Sequence, residues 1–376
     1  MPKLPGYMFL MIGPAPLPVP APLPVVEALQ SLEITSGRDR SGFQMTLAVG
    51  KGSPLQLGML PAGFFDPMIT RIVVTVVVAG VPWVIMDGIV TRQDLQPSNK
   101  PGQSTLSLTG EDLSVLMDVV ELRVPYAGTP EVGQIASILG RYGTFGIRPI
   151  IVPPLVSVTD SPTSRFDSQD GTDRAHIRAI AQDAGYVFYV EPGPIPTQSI
   201  GYFGPDIRIP VPQPALNTNM DSDTNVEQLS FSFDGLAAKT TVMFVYDPLT
   251  HKVPIPIPVP NFNPLRPPLG ARPPFPSRVT FTRDTAHLTP SAAAKRAFEI
   301  MMESATPVTG RGSLDVAVYG RPLNARMLVG VRGAGVTYDG LYYVESVTHN
   351  LKPGEYKQSF EISRSGLVSP TPVVAP

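Results

Sequence analysis

The chain has 376 residues, enough for two or three domains of about 150 residues, and its net charge of −2 without a long basic run argues against a nucleic-acid surface. It has no cysteine, which excludes disulfide scaffolds and thiolate metal sites, and charged residues make up 16 %, below the roughly 25 % usual for soluble domains. Proline is the outlier at 45 residues, which fits either a β-rich protein with proline-bounded strands or a subunit largely covered by other subunits, because charge is depleted at interface cores.

The apolar run at residues 6–13 is too short to span a bilayer, and six prolines follow it between Pro14 and Pro24. No basic n-region or small-residue cleavage site marks a signal peptide, so direct membrane insertion is not expected. Residues 1–27 read as an extended polyproline arm lying on a neighbour, or as a disordered tail. Residues 28–110 read as a first β domain, a β-barrel or sandwich. Phe43, Met45, Leu47 and Val49 alternate with Gln44, Thr46, Ala48 and Gly50. Arg71 to Val78 is apolar on both faces and predicts cover on both sides. A turn at Ala79–Pro82 leads into Trp83 to Val90, and Thr105 to Leu108 closes the set.

Residues 111–224 read as an α+β region. Glu111 and Asp112 open a helix with Leu113, Leu116, Met117 and Val120. Thr129 caps a second helix, with Pro130 at its first position and Val132, Ile135, Ala136 and Leu139 as its stripe. Residues 150–166 are proline-rich and β-like. Thr172 or Asp173 then caps a helix whose stripe is Ile177, Ile180, Ala181 and Ala184. Gly185 supplies its left-handed end, and Tyr186 to Val190 forms a strand. The stretch 201–214 is punctuated by Pro and Gly and is not helical.

A second β domain is expected over 225–366. Val226, Leu229, Phe231 and Phe233 alternate, and Thr241 to Val245 completes a first strand pair. The insertion 248–276 contains eleven prolines. Its alternating prolines 254, 256, 258 and 260 predict a stiff extended segment outside any ladder, either an arm on a neighbour or an exposed loop. Thr289 and Pro290 start a helix over 289–305. Leu314, Val316 and Val318 alternate, Met327 to Val331 is a strand, Gly333 to Gly335 is a turn, and residues 341–364 read as a hairpin. Residues 367–376 form a tail.

Chemistry is sparse. The carboxylate clusters are Glu111 with Asp112, and Asp167, Asp170 and Asp173. A glycosidase needs two carboxylates across one cleft, whereas acids at helix starts are explained by capping and the helix dipole. Gly171 gives the second cluster a calcium-loop look without the EF-hand spacing or its final Glu. No H-E-x-x-H or G-x-S-x-G is present. Residues 330–335, GVRGAG, lack the Lys-Ser/Thr of a phosphate loop and read as a turn. No catalytic residue, cofactor or metal ligand is assigned.

Two motifs, in order, resemble the hub proteins of contractile phage tails and tail-like injection systems, the group that includes late-control protein D and the N-terminal part of VgrG spikes. The first is Asp173, Ile177, Ile180, Ala181, Gly185 and Tyr186, with His176 where an aromatic is usual. Gly204, Pro205, Gln213, Pro214, Asn225 and Val226 follow as that pattern expects. The second is Gly340, Tyr343, Val344, Val347, His349, Gly354, Tyr356, Phe360, Ile362 and Arg364. The resemblance spans residues 28–366 and leaves the arm and the insertion outside.

The resemblance implies a β-rich α+β fold with two tube-like β-barrel domains in one chain. It implies a homotrimer whose six β domains form a ring. That ring would adapt a hexameric inner tube to a trimeric spike, beside baseplate wedge proteins, in a particle assembled in the bacterial cytoplasm. No spike repeat or lysozyme-like segment follows Gly366, so the spike is expected to be a separate chain. The alternatives are a tail-associated wall hydrolase or peptidase, and a monomeric carbohydrate-binding β protein.

Overall fold

The structure, a computed structural model, describes residues 7–38, 40–100, 103–126, 128–154, 167–206, 211–246, 254–259, 267–275, 278–282, 290–302 and 306–370. The first part of the chain forms β1 (Tyr7–Pro14), β2 (Val19–Pro20), α1 (Leu23–Ala28), β3 (Leu29–Ser36), β4 (Ser41–Ala48), β5 (Thr70–Val78), β6 (Val81–Gln96) and β7 (Thr105–Asp112). The middle holds β8 (Glu121–Tyr126), α2 (Glu131–Arg141), β9 (Ile147–Ile151), β10 (Asp167–Thr172), α3 (Asp173–Asp183), β11 (Val187–Pro192), β12 (Ser199–Gly204) and β13 (Gln213–Asn217). Then come β14 (Gln228–Phe233), β15 (Lys239–Tyr246), β16 (Pro254–Val259), β17 (Arg278–Thr282), α4 (Pro290–Met302), β18 (Val308–Asp315), α5 (Val316–Tyr319), β19 (Leu328–Arg332), β20 (Gly340–Lys352) and β21 (Glu355–Arg364). This is the expected β-rich α+β class.

One sheet runs β14-β18-β21-β20-β3-β4-β7-β6-β5-β1-β2, with β19 and β13 branching from β20. Its first-unit strands obey the alternation read from sequence: Phe43, Met45 and Leu47 are buried, and Gln44 is exposed. Strand β5 is buried from Thr70 to Val76, as a two-faced apolar strand requires. Ile72, Val74 and Val76 enter the large core, while Arg71 on the other face reaches the middle unit. The first and last parts of the chain meet where β3 pairs antiparallel with β20, from Ser36↔Val347 to Leu32↔Leu351. The hairpin β20–β21 closes on Pro353-Gly354, with Gly354 at φ +86°.

The middle unit is a second core. Ile135, Ile138 and Leu139 of α2 pack with Ile177, Ile180 and Ala181 of α3 and with Phe188, Val190 and Phe203 of the sheet β11-β12-β9. The α3 ends follow the sequence logic: Thr172 Oγ1 accepts from Ala175 N, and Gly185 takes φ +66°. Gly185 N donates to Gln182 O and Tyr186 N to Ala181 O, which satisfies carbonyls of the last turn. Gly185→Ala is expected to cost about 1 kcal/mol, because an L-residue resists this conformation; a urea midpoint shift measures it.

Several expectations need correction. Residues 7–14 are not an extended arm: β1 pairs with β5 along its length, from Tyr7↔Val77 to Pro14↔Thr70. The first proline after Pro5 is Pro14, so residues 7–13 keep every backbone donor a ladder needs. The helix expected after Asp112 is a single 3-10 segment, Leu113–Asp118, and Val120 lies beyond it. In α2 the capping position belongs to Pro130, and helix geometry begins at Glu131. Strands β14 and β15 do not pair; β14 pairs with β18, and β15 sits between β16 and β17 in a separate three-stranded sheet. Val316 and Val318 lie on the helical turn α5, started by Asp315 Oδ1 accepting from Ala317 N at 2.8 Å, rather than on a strand.

The proline-rich insertion also joins a ladder. In β16, Ile255, Ile257 and Val259 lie opposite Val245, Met243 and Thr241 and supply the donors. Prolines 254, 256 and 258 alternate with them, so the missing N–H groups fall on the outer edge of an edge strand, where none is needed. Helix α4 covers one face of this sheet with Ala293, Ala297 and Ile300. The end of the insertion returns to the body, where Arg272 N donates to Leu367 O at 2.9 Å. The proline-rich segment 155–166 and the tail residues 371–376 lie outside the described residues.

Candidate functional site

The motif positions are spread through the two cores, and each is explained by packing or hydrogen bonding. Asp173 is buried and accepts from Gln169 Nε2 at 2.8 Å and Tyr142 Oη at 2.9 Å, with Arg141 at 3.1 Å. His176 stacks on Tyr126 with ring centroids 5.5 Å apart and lies 2.9 Å from Gln134 Oε1. Tyr186 Oη donates to Pro153 O and Tyr202 Oη to Pro205 O. A side chain at Gly204 would collide with Tyr202 Oη, 2.7 Å from where its Cβ would stand. Asn225 bridges backbone at both ends of its amide, accepting from Asn217 N and donating to Ala215 O. In the hairpin, Tyr343 Oη donates to buried Asp206 at 2.7 Å, Val347 is fully buried, and Arg364 Nη1 and Nη2 donate to Asp339 O and Thr337 O.

The candidate carboxylates are similarly engaged. Asp112 accepts from Ser41 N and Ser114 N. Glu111 and Asp118 both meet the buried Arg174 guanidinium, at 3.3 and 3.4 Å. Asp170 pairs with Arg123 at the surface. The side chain of Asp167 lies outside the described residues. Among the described residues no group of three or more His, Asp or Glu is arranged to hold a metal ion.

His349 sits inside the second β unit, with Nδ1 2.7 Å from Tyr356 Oη and 3.1 Å from Gln358 Nε2. A neutral imidazole accepting at Nδ1 suits both neighbours. Burial lowers its pKa from 6.5 to about 4. The unfolded chain therefore binds this proton near 6.5 and the folded chain near 4, so unfolding takes up a proton within that window. Stability falls as pH falls through it, by about 3 kcal/mol in all. His349→Gln is expected to remove that part of the acid sensitivity, read as the difference between denaturant midpoints at pH 7 and pH 4.5.

Two features escaped sequence reasoning. The first is the buried Arg71–Asp87 pair, signalled only by a lone charge in each of two apolar runs. Arg71 Nε and Nη2 meet both Asp87 oxygens at 2.6 and 2.7 Å. The remaining donors reach Ala15 O, Phe145 O and Thr197 O, so all five N–H groups of one guanidinium are used.

The second is a pocket of about 360 Å³ where the first β unit, the middle unit and the second β unit meet. Trp83, Tyr189, Pro192, Pro194 and Arg326 form much of its wall. Arg326 lies 4.0 Å over the Tyr189 ring, pairs with Glu191 at 3.1 Å, and donates through Nε to Arg38 O. Its backbone sits at φ +63°, a strained conformation for a non-glycine residue that costs of order 1–3 kcal/mol. Burial pushes the Glu191 carboxyl above its usual range, and Arg326 pulls it back. Trp83 Nε1 and Arg326 Nη2 are sealed from solvent and meet no acceptor.

The two ends of the large sheet differ. At one end β14, QLSFSF, carries neither charge nor proline and has no strand on its outer side among the described residues. At the other, β2 covers only Met11 and Ile12 of β1, leaving exposed Phe9 beyond it.

The fold is similar to that of phage tail proteins. The chain is similar to the tail protein from Neisseria meningitidis MC58, with a TM-score of 0.62 and 12 % identity over 96 % of this chain and 98 % of that one. It is also similar to the 43 kDa tail protein of prophage MuSo2 from Shewanella oneidensis, with a TM-score of 0.60 and 12 % identity over 96 % and 99 %. A chain of the half-lidded Francisella PdpA–VgrG complex matches with a TM-score of 0.52 and 9 % identity, over 98 % of this chain and 60 % of that one. No protein-family model and no curated protein sequence matches.

Proposed function

We propose that the chain is a structural hub of a contractile tail or injection-system baseplate. Three copies close a ring of six tube-like β domains, which seats on the hexameric inner tube on one side and a trimeric spike on the other, beside wedge proteins. The observation that carries this reading is the β3–β20 ladder, which sets the two β units edge to edge in one sheet and leaves β14 and the β1–β2 edge as its outer ends. Repeating that side-by-side relation between copies gives a heterologous, head-to-tail contact, which closes into a ring when the rotation allows it. The fold shared with tail proteins supports the same setting. The particle is assembled in the bacterial cytoplasm. No helix among the described residues is long and apolar enough to cross a membrane.

The test is solution mass by light scattering, for the chain alone and co-expressed with a trimeric spike protein. Three times 40.3 kDa, about 120 kDa, is expected for the hub, with the spike co-purifying. A chain that stays monomeric with the spike present would sink the reading.

A further inference from the structure

We propose that the small sheet β16-β15-β17 is a clasp for a second copy of this chain, its apolar face seating on the β1–β2–α1 end of the neighbour. The proposal rests on the hub reading and names the surfaces that join its copies. Three observations carry it.

The first is a sheet with one covered face. Met243, Val245 and Val259 pack with Ala293 of α4. The side chains that alternate with them form the other face. There Val242 and Phe244 lie opposite Pro258 and Pro256 of β16, while Phe281 of β17 lies opposite Val242, and Val279 opposite Thr240. The Phe244 and Phe281 rings stack with centroids 5.9 Å apart. Phe281 is 61 % exposed and Val279 54 %, and both prolines are exposed. The described part of this face carries no charged side chain. Contiguous apolar surface of this kind marks a site of association.

The second is placement. The segment that holds the small sheet leaves the large one at Phe233 of β14 and rejoins it at Val308 of β18, two residues directly opposite each other. Asp234 N donates to Pro307 O at 2.9 Å and closes the stem. The clasp therefore stands at one outer end of the large sheet. Lys295 of α4 meets Glu131 of α2 at 2.9 Å, with both side chains mostly buried. Helix α4 thus lies between the small sheet and the middle unit, and the apolar face looks away from that unit.

The third is the surface at the opposite end of the large sheet. Residues 7–26 contain no charged side chain. Along them Phe9, Leu17, Val19 and Leu23 stand exposed, Leu17 by 73 %. A charged partner would lose hydration on either surface without gaining a counter-ion, whereas the two surfaces of this chain suit each other. One lies at each end of the same sheet, so their contact joins successive copies head to tail. Contact of the clasp face with itself would instead stop at a twofold dimer.

The experiment measures the solution mass of the full chain without spike, by light scattering. The unaltered chain is expected at about 120 kDa, three times 40.3 kDa. Phe281→Lys charges the clasp face and Leu17→Lys the other end, and each is expected to fall to the monomer mass. Mixed in equal amounts at high concentration, the two variants are expected to form a heterodimer of about 80 kDa, because one unaltered face meets one unaltered end. Val279→Lys replaces the first variant if circular dichroism shows that Phe281→Lys unfolds. A trimer that survives either charge overturns the clasp and leaves the hub reading standing. A mixture that stays monomeric also overturns it, as does an unaltered chain that stops at a dimer. An unaltered chain that is monomeric without spike overturns the clasp as well, while the hub reading then stands or falls on the spike co-expression.

Discussion

Arg71→Met is expected to destabilise the protein by about 3–5 kcal/mol, the range for removing one partner of a buried ion pair. The substitution strands Asp87, whose other contact is the hydroxyl of Ser199 at 2.9 Å, in a site where both side chains are 1 % exposed. It also takes donors from Ala15 O, Phe145 O and Thr197 O, three carbonyls that lie on separate segments. The pair is thus a bolt between β5, β6, the N-terminal segment and the middle unit. Denaturant unfolding measures the loss. The double variant Arg71→Met/Asp87→Leu is expected to lose much less than the sum of the two single variants, since no buried charge is left unpaired. A loss equal to that sum would show that the two side chains act independently.

Arg364→Met is expected to cost roughly 2–4 kcal/mol, for a different reason. Arg364 has no carboxylate partner among its described contacts. Its guanidinium holds the loop before β20 through Thr337 O at 2.8 Å and Asp339 O at 2.9 Å, and it lies 4.5 Å over the Tyr342 ring. Burial lowers its pKa, while the neighbouring acid and phenol groups oppose that shift. Arg364→Lys is expected to recover less than half the loss, because an ammonium cannot fork to two carbonyls and stack on a ring together. Thermal melts of the two variants decide this; full recovery by lysine would reduce the site to simple charge.

Local chemistry was legible in the sequence, and partner choice was not. The α3 cap at Thr172, its stripe and Gly185 depend on neighbours within one turn, so pattern and structure agree. The same holds for the β20–β21 hairpin, whose turn residues are adjacent. Strand β14 was recognisable as a strand, but its partner β18 begins 75 positions after Phe233, and nothing in its alternation names that partner over β15. The prolines of β16 illustrate a rule applied without its context. Proline breaks a central strand but not the outer edge of an edge strand, and edge position is a tertiary fact. The junction pocket was invisible for a related reason: Trp83, Tyr189 and Arg326 come from three regions that only the folded sheet brings together. The Arg71–Asp87 bolt left only a trace, a lone charge inside each of two apolar runs.

The β3–β20 ladder has a consequence for biosynthesis. Thr35 and Thr348, whose hydroxyls stand 3.2 Å apart, are separated by 313 residues. At about 5–20 residues per second, a ribosome delivers β20 roughly 15–60 s after β3 has emerged. Once β7 has followed, and until β20 arrives, the nascent chain holds a bare strand edge beside an otherwise finished first unit, a template for mispairing with a neighbouring nascent copy. Chains that stall before residue 340 are therefore expected to aggregate, and holding factors that cover strand edges should raise the yield of full-length protein.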